Sequence, residues 1–234
     1  MVALLLAALS VSAAPDTGKH VFFTGNAGLI TTKGNAEITS VDVGDKFIVT
    51  SGPWKFTQTA GVTYARNHDS VTAELWRGDV RGDRAIGGRA SLYGAAEFER
   101  NTFAGIRLRS AQTLGLSVIA EASAHDTLRA EVGGGYSEEK AVPPGADRNY
   151  AAGRAAIVYH RSLGPKASVD QTVEYLPNFK TSQDYRINSE TAITAPISRA
   201  IAMKASYVIR YEGLPQPGFE NTDTILVTGV QITL

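Results

Sequence analysis

Four histidines are the side chains of this sequence best suited to acid–base chemistry: His20, His68, His125 and His160. A histidine within hydrogen-bond reach of a serine or a carboxylate could act as the general base of a hydrolase. His68 and His125 each precede an aspartate, but adjacent residues of an extended segment point to opposite sides. We interpret the first pair as part of a solvated loop and the second as part of a turn. The histidine pattern therefore predicts no catalytic residue.

Charged side chains alternate with apolar or small ones in the stretch from Leu75 to Asp83. Successive side chains of a strand point to opposite faces, so Arg77, Asp79, Arg81 and Asp83 share one face. Tryptophan, valine and two glycines occupy the other face. A soluble sheet would bury the apolar face, whereas a transmembrane barrel turns it toward lipid and encloses the charged face. The alternation is thus compatible with a soluble sheet protein and with a transmembrane barrel.

The same alternation recurs along the chain and predicts an array of charges inside a barrel. We assign to this lumen charge ladder Arg77, Asp79, Arg81, Asp83, Glu97, Glu99, Arg107, Arg109, Arg129 and Glu131, continued in the second half by Arg154, Glu174, Arg186, Glu190, Lys204 and Arg210. Because acids and bases interleave, we expect salt-bridged rows that narrow or fill the interior. A small, weakly selective solute channel is the functional alternative, since a strongly selective pore would carry mainly one sign.

The N-terminal segment is typical of an export signal. Residues 2–9 are an apolar run too short to span a bilayer, and the small residues 10–14 that follow resemble a signal-peptidase site. We expect a signal peptide over residues 1–14 and one barrel domain over residues 15–234. An N-terminal membrane anchor or core helix is the alternative interpretation.

Composition narrows the class further. Twenty-three basic and twenty-three acidic residues leave no formal net charge, so an affinity for nucleic acid is not expected. No later run approaches the roughly 20 apolar residues of a spanning helix, which argues against a helical membrane protein. The sequence contains no cysteine, and it shows no metal-ligand spacing or phosphate-binding loop. We therefore expect no cofactor and no enzymatic activity.

Extended segments of about ten residues, separated by turn signals, predict an all-β, antiparallel, up-and-down transmembrane β-barrel of about 12 strands. Ten or fourteen strands are the alternatives. Short connections are predicted at 51–53, 163–165 and 195–197, and longer ones at 67–70, 138–148 and 212–221. Such an alternation of short and long connections is typical of outer-membrane barrels.

Two predicted strands carry further information. In the third strand, Trp54, Phe56 and Ala60 lie on one face, which is interrupted by the polar Gln58. In the last strand, apolar and small residues alternate from Leu226 to the final Leu234. That pattern is similar to the closing strand recognised by the barrel-assembly machinery, although an aromatic last residue is more typical.

Several stretches resemble a known family. They are residues 25–28 with 33–37, 72–74, 93–94 with 98–105, 133–136 and 217–224. Their order and spacing are similar to those of the salt-induced, YdiY-like outer-membrane proteins, domain-of-unknown-function family 481. The resemblance implies an outer-membrane β-barrel, and the family offers no catalytic residues to carry over.

From these observations we expect an outer-membrane protein that contributes to envelope integrity or to salt or stress adaptation, with passive solute passage. Its expected partners are outer-membrane lipid and, during insertion, the barrel-assembly machinery. Two alternatives stay open: an outer-membrane hydrolase of lipase or protease type, and a soluble periplasmic β-sandwich that binds a partner.

Overall fold

A computed structural model describes residues 20–33, 38–67, 70–164 and 167–233. The predicted signal peptide, residues 1–14, lies outside this part of the chain. The described strands are β1 (His20–Lys33), β2 (Ile38–Ser51), β3 (Trp54–Asn67), β4 (Ser70–Ala85), β5 (Ala90–Asn101), β6 (Ile106–Ala122), β7 (Asp126–Ala141), β8 (Arg148–Ser162), β9 (Ser168–Pro177), β10 (Tyr185–Pro196), β11 (Ile201–Glu212) and β12 (Thr222–Thr233). A 3-10 turn at Thr102–Ala104 joins β5 to β6.

The strands form one closed antiparallel barrel in which every strand pairs with its neighbours in sequence. Closure is made by β1 and β12, whose register sets Thr24 opposite Thr233. The predicted all-β barrel of about twelve strands is therefore confirmed. A single closed sheet also rules out the two-sheet sandwich on which the soluble binding-module alternative depended.

The two ends of the barrel differ in their connections. β1 begins and β12 finishes at the same end, which we call the terminal end; the opposite end is the loop end. Five connections lie at the terminal end, at 52–53, 86–89, 123–125, 163–167 and 197–200, and those at the loop end include 142–147, 178–184 and 213–221. One predicted boundary was wrong, because β7 continues to Ala141, into the predicted loop 138–148.

The faces of the sheet are inverted relative to a soluble protein. Outward-facing apolar side chains are exposed, with Leu114 at 74%, Val132 at 60% and Leu29 at 59% of their accessible surface. Inward-facing charged side chains are buried, with Glu131 and Arg109 each at 5%. A hydrocarbon environment around the barrel explains both observations. A closed barrel forms all its backbone hydrogen bonds internally and presents its apolar face to lipid. Among the described residues, no helix is long and apolar enough to cross a membrane.

Aromatic side chains gather on the exterior near the strand ends. Trp54 and Phe56 stack near the terminal end, with ring centroids 5.9 Å apart. Near the loop end Tyr185 packs between Tyr175 and Tyr211, at 6.0 and 5.7 Å. Amphipathic rings in these positions match the two interfacial girdles of a membrane barrel.

Candidate functional site in the lumen

The centre of the lumen is organised around Glu131 on β7. Arg81 contacts both of its carboxylate oxygens, at 3.0 and 2.8 Å. Arg129 and Arg154 approach the same carboxylate at 3.0 and 2.6 Å. Arg81 also contacts Asp83 at 2.7 Å. The side chain of Glu131 is only 1% exposed, so three guanidinium groups share a carboxylate that is shielded from bulk water.

Tyr93 on β5 supports this cluster from one side. The guanidinium carbons of Arg81 and Arg154 lie 4.1 and 5.6 Å from its ring centroid, within the range of cation–π attraction. Glycines at 115 and 133 make room for the ring, because a Cβ there would come within 2.7 and 2.6 Å of Tyr93 atoms. Gly115 and Gly133 are paired with each other across β6 and β7. Their presence in the wall thus relieves crowding inside the barrel.

The network continues across the wall to β10. Arg154 Nε lies 2.6 Å from Glu174 Oε1, and Asn188 donates a 3.0 Å hydrogen bond to the other oxygen of Glu174. On the opposite side, Ser117 of β6 donates to Glu131 at 3.3 Å. Seven consecutive strands, β4 to β10, are therefore linked by side chains that cross the lumen face.

A second cluster closes the loop end. Arg109 on β6 lies 2.6 Å from Glu139, 2.7 Å from Glu212 and 3.4 Å from Glu99. Glu99 also contacts Arg210 at 3.1 Å. These five side chains come from β5, β6, β7 and β11, so they join opposite parts of the barrel wall. Charge-assisted contacts of this length are among the stronger polar interactions in proteins.

The β11–β12 loop, residues 213–221, folds over this cluster. Gln216 is only 2% exposed, and its Nε2 donates to Glu139 Oε1 at 2.7 Å and to the carbonyl of Ala146 at 3.3 Å. Arg148 donates to the carbonyl of Leu214 in the same loop at 2.7 Å. The loop is thus attached to the mouth of the barrel at two points.

The terminal end is more loosely paired. His160 Nδ1 lies 2.6 Å from Asp170 Oδ1, and the histidine side chain is 23% exposed. Lys204 Nζ lies 3.7 Å from Glu190 Oε1. His160, Asp170 and Lys204 line a cavity inside the barrel, whereas Glu190 is fully buried.

Three cavities adjoin one another in the lumen. The terminal cavity is about 220 Å³ and shares Thr59 and Arg77 in its wall with the middle cavity of about 160 Å³. The middle cavity shares Arg186, Asn188 and Arg210 with the loop-end cavity, which is only about 30 Å³. The smallest of these three cavities therefore lies at the loop end.

The family comparison gives a clear result. The family described as "Protein of unknown function, DUF481" matches residues 25–233. This chain belongs to that family. The resemblance noted in the sequence is therefore confirmed, and the match covers the barrel from Gly25 in β1 to Thr233 in β12. No curated protein matches the sequence.

Solved structures similar to this DUF481 protein are outer-membrane barrels. A structure of the NanC porin matches with a TM-score of 0.61, 10% identity, and coverage of 90% of this chain and 100% of the porin. Outer membrane phospholipase A from Escherichia coli matches with a TM-score of 0.53, 10% identity and 89% coverage of both chains. A bacterial polysaccharide outer membrane secretin matches at 0.50, with 9% identity and coverage of 93% and 98%. At these identities the likeness concerns the fold alone.

Most residues of the predicted lumen charge ladder face the interior of this DUF481 barrel. Those that line the cavities are Arg77, Asp79, Arg81, Asp83, Glu97, Glu99, Arg109, Arg129, Glu131, Arg154, Glu174, Arg186, Lys204 and Arg210. Glu190 is fully buried and lines none of them. Arg107 is different, and its assignment was wrong. A β-bulge between Ile106 and Leu108 leaves Arg107 as the extra, exposed residue. At a bulge, inward-facing and outward-facing residues no longer alternate strictly, because two residues of one strand oppose one residue of the next.

Several lumen residues were not predicted from sequence. Glu139 had been assigned to a loop, although the alternation of residues 137, 139 and 141 continues that of β7. Glu212 is the last residue of β11 and continues the alternation of Arg210, but it was assigned to the predicted loop 212–221. Gln216 lies in the loop itself and has no periodic signal. Tyr93 contacts Arg81 on the neighbouring β4 and Arg154 on the distant β8, and the second contact depends on barrel closure.

Of the four histidines, His160 contacts a carboxylate, that of Asp170. His160 and Asp170 face each other in the register of β8 and β9, which the sequence did not reveal because they lie ten residues apart. Thr127 is the neighbour of His160 on the other side. Within the described ranges, no cluster of three or more histidine, aspartate or glutamate side chains could hold a metal ion.

Proposed function

We propose that this protein is an outer-membrane barrel that passes small polar solutes passively through a narrow, charge-lined lumen. The observation that carries the proposal is that three neighbouring cavities in the lumen share wall residues. The fold that the chain shares with outer-membrane porins supports an outer-membrane location. The terminal end, with its shorter turns, then faces the periplasm, and the loop end faces outward.

The wall of the middle cavity predicts weak ion selectivity. Its lining contains seven basic side chains and six acidic ones, and most of them contact a partner of opposite sign. A ring with one dominant sign would exclude one class of ion, whereas a nearly balanced wall favours small solutes of either sign. Adaptation of the envelope to salt is the physiological role we propose, because such a lumen equilibrates small ions and retains larger molecules.

Single-channel conductance in planar bilayers tests the proposal. In a path of segments in series, the narrowest segment dominates the resistance. The double variant Arg109→Ser with Glu139→Ser removes both partners of a contact at the loop-end constriction, so conductance should rise. The matched variant His160→Ser with Asp170→Ser acts at the wide terminal cavity and should leave conductance close to that of the wild type. A protein that shows no steps, before or after the loop-end substitutions, would contradict a solute path.

The 2.6 Å contact of His160 with Asp170 favours a second candidate, a hydrolase. In a serine-hydrolase triad, a carboxylate bound at Nδ1 orients the imidazole so that Nε2 can accept a proton from a hydroxyl. Here the pair faces the lumen, and the hydroxyl beside it belongs to the buried Thr127. Hydrolysis of p-nitrophenyl esters or phospholipid by the refolded protein, abolished by His160→Ala, would support this function. Absence of turnover in the wild type would exclude it for these substrates.

A further inference from the structure

The lipid-facing surface carries polar side chains near the middle of several strands. Asp45 lies between the exposed Val43 and Phe47 on the outward face of β2. Gln58, Gln112 and Gln171 occupy outward positions of β3, β6 and β9, as their place in the alternation shows. Carboxylates and carboxamides are costly in hydrocarbon unless they find hydrogen-bond partners. Each of these side chains therefore calls for a partner.

Gln171 finds its partners within the barrel. It donates to Ser189 at 3.1 Å and accepts from Thr191 at 2.5 Å, both on the neighbouring β10. By contrast, no hydrogen bond or ion pair joins the side chains of Asp45, Gln58 or Gln112 to another residue of the described chain. These three side chains lie on β2, β3 and β6, away from Gln171 on β9, whose hydrogen bonds are made within the barrel.

Gln58 lines an exterior groove, and Gln112 and Asp45 lie next to lining residues of that groove. Gln58, Val80, Ala96 and Gln112 form one row of paired residues across β3 to β6. Small residues continue the floor of the groove, which holds about 510 Å³ and is lined by Phe47, Phe56, Gln58, Val80, Gly82, Gly94 and Ala96. Small side chains allow two backbones in a membrane to approach closely.

Asp45 borders the same region. Its partners in register are Gly25 on β1 and Ala60 on β3, and Gly78 follows Ala60 on β4. On the two neighbouring strands, the carboxylate is thus flanked by residues without bulky side chains. Such an arrangement leaves it accessible to a donor that approaches from outside the barrel.

We propose that this face, formed by β2 to β6, is the contact between two copies of the chain in a two-fold symmetric dimer. In an isologous interface the same patch meets itself, so the patch must contain both donors and acceptors. The two carboxamides supply both, and the carboxylate supplies a strong acceptor. An acyl chain could fill the groove, but it would satisfy none of the three polar groups. This proposal does not depend on solute passage.

Cysteine cross-linking tests the contact directly, because the natural chain has no cysteine. Val80 lies in the groove and is 52% exposed; Val173 lies on the outward face of β9 and is 42% exposed. In proteoliposomes treated with a short bis-maleimide, Val80→Cys should give a covalent dimer and Val173→Cys should remain monomeric. Equal cross-linking of the two variants, or none at Val80, would overturn the proposal.

Sedimentation equilibrium in detergent micelles provides a second test. Asp45→Leu combined with Gln58→Leu keeps the surface compatible with lipid, so the barrel should still fold, while dimer association falls by about tenfold or more. Ala96→Trp should have the same effect by filling the groove. Gln171→Leu is the matched control and should leave association unchanged. A wild-type protein that sediments as a monomer at every protein-to-detergent ratio, including one that retains bound lipid, would refute the dimer.

Discussion

The two ends of the lumen differ in how densely their enclosed charged side chains are paired. At the loop end, Arg109 is 6% exposed and contacts three carboxylates from three strands. At the terminal end, His160 and Asp170 form an isolated pair on neighbouring strands beside a cavity of about 220 Å³. Dense pairing accompanies the narrow end, and sparse pairing accompanies the wide one.

This difference suggests that the two ends of the barrel are stabilised in different ways. Contacts across the lumen stabilise the wall where loops leave it unsupported, and they also restrict passage there. At the terminal end short turns already hold adjacent strands together, so the interior can stay open. The following substitutions test that comparison, from the largest expected effect to the smallest.

Arg109→Ala should lower the free energy of unfolding by about 3–5 kcal/mol, because it leaves buried carboxylates without their shared partner. Urea unfolding of the protein in lipid vesicles measures this loss. Arg148 pairs with Asp184 at 3.6 Å nearer the rim, so Arg148→Ala should cost less than about 1 kcal/mol. Similar losses for the two variants would contradict the special role of the loop-end cluster.

Glu131→Gln should cost about 2–3 kcal/mol, since it removes charge-assisted contacts with three guanidinium groups. It also raises the excess of basic over acidic side chains in the wall of the middle cavity, which has seven basic and six acidic ones in the wild type. The reversal potential in a salt gradient should shift toward anion selectivity. Arg129→Gln removes a charge of opposite sign from the same wall and should shift it the other way; shifts of the same sign would disprove the electrostatic explanation.

Gln216→Ala should release the β11–β12 loop from Glu139 and Ala146, at a cost of about 1 kcal/mol. Because the loop covers the constriction, single-channel recordings should show higher conductance or more frequent open events. Gln183 lies in the neighbouring β9–β10 loop and is exposed. Gln183→Ala should therefore behave like the wild type, and a matching change in that variant would argue for a general loop effect.

His160→Gln should have the smallest effect, less than about 1 kcal/mol, because the side chain is partly exposed and contacts one carboxylate. Conductance should stay close to that of the wild type. If this substitution altered conductance more than Gln216→Ala, the principal constriction would lie at the terminal end, and the comparison of the two ends would have to be reversed.

The sequence predicted much of the barrel because strand periodicity is local. Arg77, Asp79 and Arg81 share a face whatever lies on either side of β4, and the same reasoning indicated twelve strands. It failed at Arg107, where a bulge changes the phase, and at Glu139, where turn-forming residues nearby suggested a loop. Both errors lie at strand ends, where pairing with the next strand decides the conformation.

By itself, then, the sequence determined which side chains share a face within an unbroken strand, because the period of two is a property of each strand alone. Only the tertiary structure decided which charges meet. Arg109 and Glu212 lie 103 residues apart in sequence, and β1 meets β12 only when the sheet closes. Closure, bulges and strand stagger fix those contacts, and no local pattern encodes them.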